Sequence, residues 1–314
     1  MTASRGFVRM LGFFLTTVLL SACGDGIGAS PATQSVQTSP LAPAARTGNL
    51  LYVADLNAGD VYVFSYPGGR LRRKLTGFQA VHYLCVDGAG HIFVDDTGAS
   101  KVLEYDRTGT QPIHTFKTPN ATPNSCAIDP ATGNLAISYN PLGDGPGAVD
   151  VYKRATGKRT TYTTPNVFRY YFIGYDNAGN LFIDGTDMHV TFELAELPAG
   201  GQTTQAITMG TSVSLPGAIQ WDGQYLAIGD QVCIECASQI DRVSVSGTTA
   251  TLVGTVALLD SCDVLQYWID KGRVIAADDC GSTVKYFNYP AGGNSLKTIA
   301  SPLNEPVGVT VSPK

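Results

Sequence analysis

The stretch Leu303-Asn304-Glu305-Pro306-Val307-Gly308-Val309-Thr310-Val311-Ser312 decides the fold. Its valines occupy every second position, which predicts a β-strand. This strand matches the first half of a repeat whose second half does not follow it. The missing half lies near the other end of the chain, at residues 48–55, with the sequence GNLLYVAD. A repeat divided in this way is expected in a ring of repeats that is closed by pairing of its terminal strands.

The repeat recurs in the body of the chain as an apolar strand ending in Asp, a Gly-containing turn and a second apolar strand. Residues 84–94 and 173–183 are two clear examples. The Asp is expected to accept hydrogen bonds from the turn backbone, and the Gly to supply the positive φ of a tight hairpin. The anchor positions, 42 to 48 residues apart, are Asp87, Asp129, Asp176, Asp222, Asp270 and Ser312. A period of this length that contains only strands predicts the blades of a β-propeller.

Each predicted blade has four strands, and a third strand is recognisable six times. These third strands lie at 61–64, 102–105, 149–152, 190–194, 242–245 and 284–287. Five first strands lie in the body of the chain, and the C-terminal stretch supplies the sixth. The sequence therefore predicts an all-β fold over residues 47–314: a six-bladed β-propeller of four-stranded antiparallel blades, closed by the C-terminal strand joining the N-terminal blade. Such closure removes an open sheet edge.

The segment Pro306-Val307-Gly308-Val309-Thr310-Val311 is similar to the start of an NHL repeat. The region 47–314 accordingly resembles the six-bladed propellers of the NHL-repeat and SMP-30/gluconolactonase-like group. The resemblance is to a blade consensus, so it implies a fold far more strongly than an activity.

The charge of the chain argues against nucleic-acid binding. The formal net charge is −5, and it falls to −7 without the first 22 residues, which carry Arg5 and Arg9 and no acid. An acidic chain lacks the basic surface on which phosphate recognition depends. No nucleic-acid partner is expected.

Residues 1–22 are predicted to be a lipoprotein signal peptide. Arg5 and Arg9 form a positive n-region, and Met10–Leu20 is an apolar segment too short for a comfortable transmembrane helix. Leu20-Ser21-Ala22-Cys23 then resembles the lipobox of bacterial lipoproteins, which implies cleavage before Cys23 and attachment to the membrane through acyl groups on that residue. The alternative is an ordinary signal peptide, cut after Ala22 and leaving a free Cys23.

Residues 23–46 have the Gly, Ala, Ser, Pro and Thr content of a flexible linker, which would hold the folded part away from the bilayer. Gly24, rather than Asp, follows the lipidated position. In Gram-negative lipoproteins the lack of an Asp there implies sorting to the outer membrane. The expected location is therefore the cell envelope, with the chain lipid-anchored in the outer membrane of a Gram-negative bacterium.

Six cysteines remain after Cys23, and an even number in an oxidising compartment predicts disulfides. Cys262 and Cys280 are equidistant from Lys271, which would place them opposite each other across one hairpin. Cys85 and Cys126 fall on the first strands of neighbouring blades, and Cys233 and Cys236 would close a small ring in a loop. The alternatives are a metal site from Cys233, Cys236, Cys262 and Cys280, and a redox Cys-x-x-Cys pair.

Ligand-binding residues are expected at one mouth of the central channel, just before each first strand. Because the side-chain period of a strand is two, counting back five or seven positions from each anchor keeps one strand face. This count selects His82, Asn124, Arg169, Tyr171, Asp263 and Glu305, together with Gly217.

The SMP-30-like hydrolases hold a divalent cation at this mouth with a Glu, an Asn after Pro, and an Asp. Pro123-Asn124 and Glu305-Pro306 match parts of that pattern, and Asp263 matches it more loosely. The resemblance thus implies Ca²⁺ or Zn²⁺ on Asn124, Asp263 and Glu305, with Asp263 as base toward a metal-bound water. The plainer interpretation treats these residues as turn and loop positions, with no cofactor.

Two functions follow from these features. The first is a non-enzymatic binding or interaction scaffold for an unknown protein or small-molecule ligand, an envelope assembly factor being a special case. The second is a metal-dependent hydrolase of the lactonase type. No nucleophile motif, phosphate loop or dinucleotide fingerprint is present in the sequence, which favours the first.

Overall fold

The computed structural model describes residues 48–234 and 237–314, with the backbone alone at 232–234. Within this part the fold is all-β, apart from two single-turn 3-10 helices at Thr97–Ala99 and Lys153–Ala155. The predicted signal peptide, Cys23 and the linker lie outside the described residues. In the described part no helix is long and apolar enough to cross a bilayer.

The strands of the first half are β1 (Leu50–Asp55), β2 (Asp60–Ser65), β3 (Leu71–Thr76), β4 (Val81–Val86), β5 (Ile92–Asp96), β6 (Lys101–Tyr105), β7 (Pro112–Lys117), β8 (Ala121–Ile128), β9 (Leu135–Pro141), β10 (Ala148–Tyr152), β11 (Arg159–Tyr162) and β12 (Arg169–Tyr175). Those of the second half are β13 (Leu181–Thr186), β14 (Phe192–Leu197), β15 (Gln205–Met209), β16 (Pro216–Trp221), β17 (Leu226–Ile234), β18 (Ala237–Ser246), β19 (Thr249–Leu258), β20 (Tyr267–Asp270), β21 (Arg273–Asp278), β22 (Thr283–Asn288), β23 (Gly292–Ile299) and β24 (Pro306–Ser312).

Antiparallel pairing joins these strands in sets of four. The sets are β24-β1-β2-β3, β4 to β7, β8 to β11, β12 to β15, β16 to β19, and β20 to β23. The last three sets also touch through parallel pairs of their fourth strands, β15 with β19 and β19 with β23, and so form one 12-stranded sheet. The described strands do not form a single closed sheet.

The C-terminal strand β24 pairs with β1, as the divided repeat predicts. The register runs from Leu50 opposite Ser312 to Asp55 opposite Pro306. All seven residues of β24 are buried. The strand that begins the first set is therefore supplied by the end of the chain.

Apolar side chains fill the spaces between neighbouring sets. Val53 and Val309 of the first set pack with Ile275 and Tyr286 of the last set. On its other side the first set packs against the second through Tyr52 and Ile92. The first strands also contact one another in the order β24, β4, β8, β12, β16 and β20, and β20 contacts β24.

The predicted chemistry of the repeat turns is confirmed at four anchors. Asp176 Oδ1, for example, accepts the amides of Ala178 and Asn180 at 2.8 and 2.9 Å. Gly179 follows with φ of 87°, a left-handed conformation that Gly adopts without strain. The other three anchors that accept such turn amides are Asp87, Asp129 and Asp222.

Two predicted disulfides are confirmed, Cys85–Cys126 and Cys262–Cys280. The first links β4 to β8, which are first strands of neighbouring sets, and the second closes the β20–β21 hairpin. The proposed pairing of Cys233 with Cys236 lies outside the described side chains. Position 233 belongs to strand β17, not to a loop as predicted.

One predicted third strand, 190–194, was wrong by about two residues, since β14 begins at Phe192. Val190 instead lies in a turn with φ of 66°. The carboxylate of Asp187 accepts the amides of His189 and Thr191, both at 2.8 Å, and thereby holds the turn. The Asp187 side chain thus binds backbone amides that would otherwise be available to a strand, and β14 begins two residues later than predicted.

Candidate functional site

The first strands all begin at one end of the molecule, here named the upper mouth, and end at the other, the lower mouth. The upper mouth is defined by His82, Tyr171, Asp263, Asp279 and Glu305, and the lower mouth by Asp87, Asp129, Tyr175, Trp221 and Trp268. The sequence-predicted ligand residues belong to the upper mouth. A cavity opens at the lower mouth.

Aspartates of the second strands hold the loops of the upper mouth. Asp55 accepts the amides of Asn304 and Glu305, at 2.7 and 3.2 Å. Asp96 and Asp230 each bind two loop amides in the same way. Sequence reasoning missed these carboxylates, although they recur at nearly the same interval as the turn aspartates.

The upper mouth concentrates negative charge around Asp279. Partial burial, together with the carboxylates of Glu305 and Asp263, raises the pKa of Asp279 to about 6. Burial also lowers the pKa of His82, and the nearby Glu305 opposes that shift. His82, Asp263 and Glu305 therefore share one electrostatic environment, and Asp279 is a member that the sequence analysis did not select.

The remaining predicted residues of the upper mouth make contacts of their own. Asn124 on β8 donates its amide to the carbonyl of Tyr170 at 2.8 Å, which ties two first strands together. The guanidinium of Arg169 lies 5.2 Å from the ring of Phe168. Tyr171 is partly exposed and lies near Tyr83, whose pKa is raised mainly by burial.

The metal alternative gains no support from the arrangement of donor atoms. Among the described side chains of residues 48–231 and 237–314, no three His, Cys, Asp or Glu groups are arranged to hold an ion. A hard cation requires several converging oxygens. The side-chain nitrogen of Asn124 donates to the carbonyl of Tyr170, so its side-chain oxygen is the atom that a cation would need. Asn124 lies on β8, whereas Asp263 and Glu305 precede β20 and β24.

The space between the two mouths is filled by side chains. The amide of Gln266, the residue directly before β20, bridges two other first strands: its oxygen accepts Leu84 N at 3.1 Å and Val309 N at 3.0 Å. The rings of Tyr83 and Phe172 meet edge to face at 4.8 Å. All three side chains are buried, so the molecule is closed at mid-strand rather than open from end to end.

The lower mouth contains a cavity of about 440 Å³, lined by the first strands of five sets. A volume of this size is typical of small-molecule sites. Its wall is mostly apolar, with Ile173 and Ile219 among the lining residues, and its aromatic lining residues are Phe172, Tyr175, Trp221, Tyr267 and Trp268. Strands β12 and β16 approach closely here. A Cβ added to Gly174 would lie only 2.7 Å from the carbonyl oxygen of Ile219.

The charged groups of this cavity are carboxylates. Asp87 and Asp129 line it, and none of its described lining residues is Lys, Arg or His. Asp129 is buried and accepts the amide of Ala131 at 2.8 Å and the hydroxyl of Thr132. The charged groups among the described lining residues are therefore all of one sign, and these residues supply no positive group for an oxyanion.

The lower cavity was not foreseen from the sequence, which placed the ligand residues at the opposite mouth. A signal was present, because the anchors Asp222 and Asp270 follow closely after Trp221 and Trp268. These are the two tryptophans of the chain. Aromatic residues beside repeat turns indicate that the turn end of the first strands also forms a surface.

No protein-family model and no curated protein matches the chain. Solved structures do resemble it. A chain in the crystal structure of the nidogen/laminin complex has a TM-score of 0.68 at 12% identity, covering 84% of this chain and 98% of its own length. A protein of unknown function from Bacteroides caccae has a TM-score of 0.65 at 11% identity, covering 85% of this chain and 100% of its own.

A functionally unknown protein from Desulfotomaculum acetoxidans DSM 771 gives a TM-score of 0.57 at 12% identity, with 85% of this chain and 100% of that protein covered. At these identities the likeness concerns the fold alone. Together with the four-stranded antiparallel sets, it identifies the fold as a β-propeller.

Proposed function

We propose that this chain is a non-enzymatic binding module, a β-propeller whose ligand occupies the lower-mouth cavity. The observation that carries the proposal is the cavity itself: about 440 Å³, lined by five first strands and by both tryptophans, with no basic side chain among its described lining residues. Its closure at mid-strand by Gln266 makes it a pocket with a floor. A pocket with an apolar wall and few polar groups is the usual form of a small-molecule site.

The architecture proposed for this module has six blades, each one set of four strands, with the ring closed by β24. Three observations support it: the pairing of β24 with β1, the sequence of contacts among first strands from β24 to β20 and back, and the apolar packing of the last set on the first. The NHL-like and SMP-30-like resemblance of Pro306–Val311 agrees with this count.

The module is proposed to be displayed on the cell envelope. The support is in the sequence: the n-region arginines, the apolar segment, the lipobox-like Leu20–Cys23, and a linker with few large apolar residues. Acyl groups on Cys23 would attach the chain to the outer membrane. The two disulfides are what an oxidising compartment permits.

The binding function is tested by blocking the cavity. Gly88 lines it, has no atom within 4 Å of an added Cβ, and lacks a positive φ, so Gly88→Phe places a ring there without backbone strain. The full chain is purified from envelopes with its anchor retained, and compounds that co-purify are identified by mass spectrometry. A compound held by the wild type and lost from Gly88→Phe is expected.

The matched control is Gly143→Phe, because Gly143 is equally open, has no positive φ and lies outside the cavity lining. It is expected to retain the compound. Equal retention by the Gly88→Phe variant would place binding elsewhere and overturn the proposal.

A metal-dependent lactonase is the second candidate, favoured by one observation: Asp263 and Glu305 lie close enough to Asp279 to raise its pKa. Lactone hydrolysis and bound Ca²⁺ or Zn²⁺ are measured for the wild type and for Glu305→Gln. Turnover and metal that both disappear in the variant would replace the binding function by this one.

A further inference from the structure

We infer that the lower-mouth cavity binds an organic cation, an ammonium head group of the quaternary type with a short apolar body. The inference rests on the proposed binding function and names the ligand class of that same cavity. Three features of the wall carry it: its carboxylates, its aromatic rings and the engagement of its two glutamine amides.

The first feature is the negative charge of two carboxylates, of which Asp129 is the buried one. Asp129 is only 4% exposed and its recorded partners, a backbone amide and a hydroxyl, are both neutral. Asp87 at the same mouth lies 3.0 Å from the imidazole of His91. A carboxylate held away from water attracts a cation more strongly than an exposed one does, and an anionic ligand would meet only repulsion here.

The second feature is the aromatic content. Trp221, Trp268 and Tyr175 all line the cavity, and they come from three different first strands. Indole and phenol faces attract cations, and aromatic cages of this kind recognise quaternary ammonium groups. Tyr175 and Asp129 are also close to each other, since Asp129 contributes to the raised pKa of Tyr175 after burial. A ring and a carboxylate therefore share one side of the site.

The third feature separates a cation from a polyhydroxylated ligand such as a sugar. The side-chain amide of Gln220 is used on both atoms by the backbone of Ile269, at 2.7 and 3.1 Å. The amide of Gln266 is likewise occupied by Leu84 and Val309. A sugar needs several free hydrogen-bonding groups, whereas a quaternary ammonium ion needs none.

The two tryptophans provide the measurement. Because the chain contains two and both line the cavity, tryptophan emission reports on this site alone. The purified full chain is titrated with choline and, separately, with its uncharged carbon isostere 3,3-dimethylbutan-1-ol. Choline is expected to change the emission saturably, and the isostere to bind about tenfold more weakly, which is the size of a desolvated cation–π contact.

The variant Asp129→Asn tests the carboxylate, since its side-chain oxygen still accepts the turn amide of Ala131. Choline affinity is expected to fall about tenfold. Asp176→Asn is the matched control, because Asp176 makes the same kind of turn but does not line the cavity. It should bind choline as the wild type does, and thermal melts verify that both variants are folded.

Equal affinity for choline and its isostere, or no loss with Asp129→Asn, would overturn the cation assignment while leaving the cavity a binding site. Absence of any saturable change with choline would overturn it as well. None of these results bears on the proposed binding function. That function is tested by whether the Gly88→Phe variant loses the co-purified compound.

Discussion

At the scale of single residues, some carboxylates of this chain stabilise the native state and others destabilise it. The turn aspartates and the second-strand aspartates accept backbone amides, so their negative charge is stabilised by donors. Asp279 differs, because it is surrounded by Glu305, Asp263, Asp278 and Asp55. The same type of side chain therefore stabilises or destabilises the native state according to what faces it.

Burial of Asp279, together with repulsion from its neighbouring carboxylates, predicts a pH-dependent stability. Its pKa is raised from 3.8 to about 6 in the folded protein, so the native state binds a proton that the unfolded chain has released. Stability is then lost as the pH rises from about 4 through about 6. At pH values above about 6, Asp279→Asn should raise the Tm. At pH values below about 4, it should leave the Tm unchanged.

Thermal melts at several pH values check this prediction. Asp144→Asn serves as the control, since Asp144 is exposed. A difference between Asp279→Asn and the wild type that does not depend on pH would contradict the electrostatic cause.

Because the carboxylate of Asp55 accepts the amides of Asn304 and Glu305, its removal is expected to destabilise the native state. Asp55 is fully buried and binds two amides of the loop that leads into β24. Asp55→Ala leaves those buried donors without an acceptor, which costs about 1–3 kcal/mol for each unsatisfied group. Urea unfolding is the measurement, with Asp144→Ala as the surface control; a change as small as that of the control would refute this role of Asp55.

At the scale of elements, the sequence is informative wherever one residue determines the local backbone. Asp176 and Gly179 predicted a turn correctly, because carboxylate capping and positive φ are local properties. The apolar character of Val190 predicted that β14 includes this residue. The turn held by Asp187 instead places Val190 before the strand, with a positive φ. The parallel contact of Thr208 with Thr249 gives no sequence signal, because it joins the edges of two separate sets.

The candidate site was predicted in part for the same reason. Counting back from the anchors selected Glu305 and Asp263 because the side-chain period of a strand is two, and both residues contribute to the raised pKa of Asp279. Which end contains a cavity depends on how Gln266, Tyr83 and Phe172 fill the interior. That is a property of packing between distant strands, and no local pattern reports it.

The close approach of β24 to β4 predicts the effect of one methyl group. A Cβ on Gly308 would collide with the carbonyl of His82, and backbone cannot move aside as a side chain can. Gly308→Ala should therefore destabilise the protein by about 1–3 kcal/mol, as overpacking does. Gly254→Ala is the control, because its Cβ would have no atom within 4 Å. Urea unfolding compares the two, and equal stability of both variants would contradict the packing.

At the scale of the whole molecule, β24 connects the two ends of the chain. It forms the first strand of the first set and contacts both β4 and β20. Deletion of residues 303–314 exposes the edge of β1 and the apolar residues Val53 and Ile275 beneath it. The truncated chain should lose its cooperative thermal transition, and a melt identical to that of the wild type would disprove the closure proposed above.

The pairing of Leu50 with Ser312 also has a consequence for biosynthesis. The first sheet to emerge from the ribosome must wait for the last residues of the chain before it has all four strands. Until then β1 remains an unpaired edge, available to proteases and to other chains. A chain that stops before β24 can therefore be distinguished by this exposed edge from a chain in which β24 covers β1.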